Sequence, residues 1–118
     1  MSIRRVVPIF RGRDGDDVRD FYVGLLGFRV AMEIGSMVTF ASPGNETAQL
    51  SIIGEDAAGE ALPDVTIEVA DVDRLHDDAV RRGLEIVRPL RDESWGVRRF
   101  FVRDPNGLVV NVMAHVRR

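Results

Sequence analysis

The sequence predicts an α+β fold: two tandem βαβββ modules whose sheets form a concave cleft, within a single domain spanning residues 1–118. Three observations lead there. Each half reads as a strand, a helix and three further strands. The helix-ending glycines, Gly27 and Gly83, stand 56 residues apart, close to the offset between Val7 and Asp64 in the two first strands. Small polar residues at 55–63 read as a linker between modules at about 3–54 and 64–115. A module of this size cannot bury both faces of its sheet alone, so two sheets facing each other, with helices outside, is the economical packing.

"RVVPIF" (5–10) is a short apolar strand, and "RGRDGDD" turns the chain towards a helix capped by Asp14 or Asp16. In that helix Val18, Phe21, Tyr22, Leu25 and Leu26 recur at the spacing of one buried stripe. Strands follow at about 28–34, 37–42 and 47–53, the last two separated by the turn signal "SPGNE". In the second half "DVTIEVA" (64–70) alternates polar and apolar residues. "DVDRLHDDAVRRG" (71–83) is a helix capped by Asp71 or Asp73, with Val72, Leu75, Ala79 and Val80 on one side. Strands at 84–90, 97–103 and 108–114 complete the module. Asp104, Pro105, Asn106 and Gly107 suit a type I turn between the last two.

Composition narrows the function classes. The net charge is −3, which gives no general attraction to nucleic acid or an anionic membrane. The run "VRRFFVR" interleaves Arg with Phe, yet on an acidic chain it reads as an amphipathic strand. The chain has no cysteine, which removes disulfides, thiolate metal sites and cysteine nucleophiles. It has no lysine either, so no Lys-based nucleophile can be assembled. "MSIRRVVPIF" lacks the apolar run and cleavage site of a signal peptide, and no stretch approaches the ~20 apolar residues of a membrane span. A cytoplasmic protein is expected.

Alternation assigns the faces. Val65, Ile67 and Val69 should pack under the helix, leaving Asp64, Thr66 and Glu68 on the concave side. In the last strand Leu108, Val110 and Val112 face the helix, while Val109, Asn111 and Met113 face the cleft, with His115 beyond. Gln49 and Ser51 oppose Leu50 and Ile52. The repeat thus brings Val7, Gln49 or Ser51, Asp64 and Asn111 to equivalent places. His76 reads as a helix-edge residue and His115 as a structural residue near the chain end.

"DFYVGLLGF", "IEVADVD" and "WGVRRFFVRDPNGLVVNV" occur in that order along nearly the whole chain. Together with the paired modules they resemble the vicinal oxygen chelate superfamily of glyoxalases, extradiol dioxygenases and bleomycin-resistance proteins. "VPIF" followed by Asp14 and "FY" is closest in character to the bleomycin-resistance branch. The resemblance implies the glyoxalase/bleomycin-resistance fold, a homodimer, and metal ligands on the first and fourth strands of each module. Those positions read Val7, Gln49 or Ser51, Asp64 and Asn111. Val7 has no donor atom and Asn111 offers a neutral carbonyl, whereas transition-metal sites favour imidazole and carboxylate. Asp64 is the only plausible charged ligand, so no cofactor is expected beyond a weakly bound divalent ion.

Two function classes follow. The first is a metal-free binding protein for an aromatic or cationic, antibiotic-like small molecule. Its candidate ligand-binding residues are Phe40, Gln49, Asp64, Glu68, Trp95, Phe101 (or Phe100) and Asn111, with Glu93 as a further acidic group. Trp95 can stack on a planar ring, and the carboxylates can attract a cation. The second is an enzyme of glyoxalase or dioxygenase type with an atypical or weak metal site, for which the paired carboxylates Asp64 and Glu68 are the acid–base candidates. A partner-binding subunit without a small ligand is a third.

Overall fold

The computed structural model describes residues 3–54 and 62–116. Most of the expected linker, 55–61, lies outside the described residues. The chain groups into two compact units, Val6–Glu60, and Met1–Arg5 with Ala61–Arg118. The elements run in the predicted order. β1 (Ile3–Arg11), α1 (Asp16–Arg19, continued as a π-helix over Asp20–Leu25), β2 (Arg29–Ile34), β3 (Met37–Ser42) and β4 (Asn45–Ile53) are followed by β5 (Val65–Val69), α2 (Val72–Arg81), β6 (Ile86–Asp92), β7 (Val97–Arg103) and β8 (Val109–His115).

In the first unit the strands lie in the order β2-β3-β4-β1, β1 running parallel to β4 and the other pairs antiparallel. Val38, Phe40 and Ile52 are buried against Val18, Tyr22, Phe28, Val30 and Leu50. Tyr22 stacks on Phe40, with ring centroids 5.0 Å apart. The first helix departs from expectation at both ends. Gly15, not Asp14 or Asp16, is its N-cap and makes no side-chain cap bond. Asp14 instead holds Arg19 at 2.7 Å. Beyond Arg19 the hydrogen bonds lengthen to the i→i+5 pattern, as from Leu26 N–H to Phe21 O at 3.1 Å. That wider turn carries side chains out of the α-helical stripe. Val18 and Tyr22 reach the core, while Phe21, Leu25 and Leu26 are exposed.

In the second unit the order is β5-β8-β7-β6, with β5 parallel to β8 and the other pairs antiparallel. Asp71 caps α2, its carboxylate accepting from Arg74 N–H at 3.2 Å. Val72 and Ala79 pack with Val69, Phe100 and Val112, flanked by Ile67, Leu75, Ile86, Leu90, Val102 and Val110. Val80, expected on the buried side, is exposed, and so is Leu108, which precedes β8. The turn between β7 and β8 forms as predicted. Gly107 N–H donates to Asp104 O at 3.0 Å, and Asp104 Oδ1 accepts from the N–H of Asn106 and Leu108. Gly107 has φ +87°, a conformation that a side chain disfavours.

Phe40 is fully buried under Tyr22, so truncation leaves a cavity that two strands and a helix cannot close. Phe40→Ala should cost about 3–5 kcal/mol. Urea denaturation of wild type and variant measures it.

Candidate functional site

The face of the second unit's sheet that turns away from α2 gathers the chemistry. Thr66 pairs with Asn111 across β5–β8, and Phe101 pairs with Asn111 across β7–β8. Ile67, Phe100 and Val112 take the core side. Alternation therefore puts Thr66, Glu68, Arg99, Phe101, Asn111, Met113 and His115 on the opposite face.

Asn111 is 7% exposed. Its Nδ2 donates to Thr66 Oγ1 at 3.0 Å, while its Oδ1 is buried and has no partner among the described residues. An unmet buried acceptor costs on the order of 1–3 kcal/mol, so this amide is poised for a donor. Asp64 grips the start of β8: its N–H donates to Val109 O and its Oδ2 accepts from Val109 N–H, both at 2.8 Å. Glu68 is bonded by Arg5 Nε and, at 3.0 Å, by His115 Nδ1. Burial alone would raise its carboxyl pKa. The hydrogen bonds from His115 and Arg5, with their charges, outweigh that and hold it below the ordinary value.

Glu93 lies at the centre of an arginine cluster and is almost fully buried. Arg91 Nε reaches its Oε1 at 3.0 Å, Arg88 Nη2 both oxygens at 3.4 Å, and Arg99 Nη2 its Oε2 at 3.3 Å. Burial opposes the Glu93 charge, but the Arg91 hydrogen bond and the charges of Arg99 and Arg88 prevail and lower its pKa. The Arg99 guanidinium lies over the rings of both Trp95, at 5.0 Å, and Phe101, at 4.8 Å. Arg88 also lies over Phe101, at 5.7 Å. Trp95 itself stays 42% exposed in the turn closed by Gly96 N–H on Glu93 O at 3.2 Å.

The other sequence-predicted residues sit elsewhere. Phe40, expected as a ligand-stacking wall, is core beneath the first helix, because it shares the helix side of β3 with Val38. Phe100 is likewise core under α2. Gln49 donates from Nε2 to Glu46 O at 2.6 Å, and Ser51 is buried with its hydroxyl 2.7 Å from that of Thr39. A depression of about 430 Å³ lined by Gly12, Arg13, Glu33, Ser36 and Met37, among others, contains none of the predicted site residues.

Three residues that the sequence reading does not assign to the site are Arg88, Arg91 and Arg99. Simple alternation along 84–90 puts Arg88 with Ile86 on the helix side. The β6–β7 register instead shifts twice, between Ile86 and Arg88 and again between Arg88 and Arg91. Arg88 then opposes Phe101 and Arg91 opposes Arg99. Pro89 is the available signal, since proline inside a strand marks an edge or an irregularity. "VRRFFVR" divides between faces: Arg98 bonds Asp73 of α2 at 2.9 Å, on the side of Phe100.

The metal positions implied by the resemblance can be tested on their donors. Val7 is apolar and buried, the Asp64 carboxylate is engaged by Val109, the Ser51 hydroxyl by Thr39, and Asn111 is neutral. Among the described residues no three His, Cys, Asp or Glu side chains come together as a metal set. These donors do not fit a transition ion, which favours imidazole and carboxylate.

Residues 3–112 match the family model of the Glyoxalase/Bleomycin resistance protein/Dioxygenase superfamily. A search of curated proteins finds no match. Among solved structures, a glyoxalase/bleomycin resistance protein/dioxygenase superfamily member from Vibrio splendidus 12B01 is 20% identical, with TM-score 0.67 over 96% of this chain and 99% of that one. Methylmalonyl-CoA epimerase from Mycobacterium tuberculosis is 18% identical, with TM-score 0.72 over 98% and 88%. A variant of the Streptomyces coelicolor methylmalonyl-CoA epimerase, in complex with 2-nitronate-propionyl-CoA, is 21% identical, with TM-score 0.74 over 98% and 100%. These likenesses establish a shared fold. No helix among the described residues is long and apolar enough to cross a membrane.

Glu68 and Glu93 both titrate below their ordinary range in the folded chain. The stability they contribute is complete above the unfolded carboxylate pKa and is lost as pH falls through the lowered folded values. Chemical denaturation at pH 7 and pH 3 should show that loss, and Glu68→Gln should make it smaller.

Proposed function

Because the chain belongs to the Glyoxalase/Bleomycin resistance protein/Dioxygenase superfamily, we propose that it binds a small molecule without a metal ion, on the sheet face that carries Asn111, Phe101 and Trp95. The carrying observation is the buried Oδ1 of Asn111, which has no partner among the described residues. Native proteins leave few such atoms, and a ligand N–H or O–H answers this one. The half-exposed Trp95 offers an aromatic surface in the same unit, against the Arg99 guanidinium that also lies over Phe101. The ligand is aromatic, as the sequence reading has it. Its cationic character finds less support, since Asp64, Glu68 and Glu93 each already accept from donors of the chain.

A second reading is an enzyme of glyoxalase or dioxygenase type. It draws on Glu68 and His115, an acid–base pair 3.0 Å apart on the same face. Metal analysis separates the two. Protein purified without added metal should carry no stoichiometric zinc, iron, nickel or manganese; a full equivalent favours the enzyme.

The homodimer remains part of the proposal. Val6 and Phe10, on one face of β1, are about half exposed, and large apolar side chains left in water favour a covering partner. Light scattering behind size-exclusion chromatography should return twice the chain mass.

Titration of Trp95 fluorescence with bleomycin and a panel of planar antibiotics tests binding directly. A saturable quench or shift is expected from at least one compound. Asn111→Leu should weaken that compound about tenfold or more while keeping or raising thermal stability. A flat response across the panel counts against the reading.

A further inference from the structure

We propose that Asn111 and Thr66 together select one edge of a neutral planar ring, an N–H beside a carbonyl, as in a lactam or imide. The inference rests on the reading of this sheet face as a ligand-binding surface and names the chemical group that it recognises.

Asn111 and Thr66 stand opposite each other across β5–β8, and Asn111 Nδ2 donates to Thr66 Oγ1 at 3.0 Å. That bond leaves two groups of the pair unengaged among the described residues. One is the buried acceptor, Asn111 Oδ1. The other is a donor, the O–H of Thr66, whose oxygen takes the bond from Asn111. Turning the amide over exchanges the roles. The hydroxyl then donates to Oδ1, Nδ2 becomes the open donor and Thr66 Oγ1 the open acceptor. In both arrangements one donor and one acceptor remain side by side.

That complement discriminates between ligand classes. An ammonium group brings donors alone and leaves the open donor of the pair unanswered. A carboxylate brings acceptors alone and sets them against the open acceptor. An open-chain secondary amide is trans, with N–H and C=O on opposite sides, so it meets one group at a time. A ring forces the amide cis and puts both on one edge. Water is a poorer match. Phe101 pairs with Asn111 across β7–β8, and Met113 follows two residues on along the same face. Both are buried and apolar. A buried water typically makes about three hydrogen bonds, whereas this pair supplies an acceptor and a donor. A flat heterocycle answers both and lays apolar surface against the phenyl ring and the thioether.

The test is isothermal calorimetry with carbostyril, the lactam of quinoline, with Trp95 fluorescence read in parallel. The comparison probes are N-methylcarbostyril, which lacks the donor, quinoline, which keeps an acceptor only, and acetanilide, a trans amide. Carbostyril should bind about tenfold or more tightly than each of them. Thr66→Val removes the hydroxyl at nearly constant shape and should weaken carbostyril about tenfold while leaving the N-methyl compound where it was. Thr66→Ser, which restores the hydroxyl, should restore the binding. A merely structural role for Thr66 would move both compounds together. If Thr66→Val lowers the melting temperature, the four probes on the wild-type chain decide. Equal binding of carbostyril and its N-methyl derivative, or carbostyril binding that ignores Thr66→Val, overturns the proposal. If carbostyril fails while quinoline or a planar antibiotic still perturbs Trp95, the edge proposal falls and the small-molecule reading stands. Silence from every probe and from the antibiotic panel removes both.

Discussion

A two-point grip between Asp64 and Val109 governs the second unit. The Asp64 backbone N–H and side-chain carboxylate bind the carbonyl and the N–H of one residue. That fixes where β8 starts against β5. In a strand a slip of one residue exchanges the two faces. With the grip in place, Asn111 falls opposite Thr66 and Phe101 and lies on the face away from α2. Shift it by one, and Val110 and Val112 would leave the core that packs under α2. The carboxylate that the resemblance marks as a metal-ligand position thus sets strand register in this chain.

Much of the architecture was legible because strand alternation and turn chemistry are local. Ile67 and Val69 of "DVTIEVA" and Val110 and Val112 of "LVVNVMA" take the helix side that alternation assigns them, though Leu108 does not, and the Asp104–Gly107 turn formed where its residues require it. The α2 helix was legible from its period and its Asp71 cap. The first helix was not fully so. Its apolar spacing assumed a regular α-helix, and a change in hydrogen-bond pattern after Arg19 left Leu25 and Leu26 outside the core. Phe40 illustrates another limit. An aromatic residue in a strand has two faces to choose from, and composition alone did not say that Tyr22 would cover it.

In the candidate site, the placement of Asn111 was legible in the sequence, and the partners of the charged groups were not. Asn111 stood out in the sequence as an amide in an apolar strand, and it is buried with an oxygen that has no partner among the described residues. The acidic residues look like free charges in the sequence because nothing local reveals their partners. Arg5 and Glu68 are 63 positions apart in the chain. Glu93 is close in sequence to its arginines, but only the irregular pairing of β6 turns Arg88 and Arg91 to one side. A carboxylate that looks attractive to a cation in one dimension is surrounded by guanidinium groups in three.

β6 ends the β5-β8-β7-β6 order and carries Pro89 within its second register shift, between Arg88 and Arg91. A regular outer strand presents a row of backbone donors and acceptors on which a foreign strand can template itself. Here proline removes one donor and the irregular pairing breaks the even spacing of the others. The distortion that turns Arg88 and Arg91 to the side of Arg99 therefore also blunts this border against runaway sheet growth. A change that straightened β6 would threaten solubility.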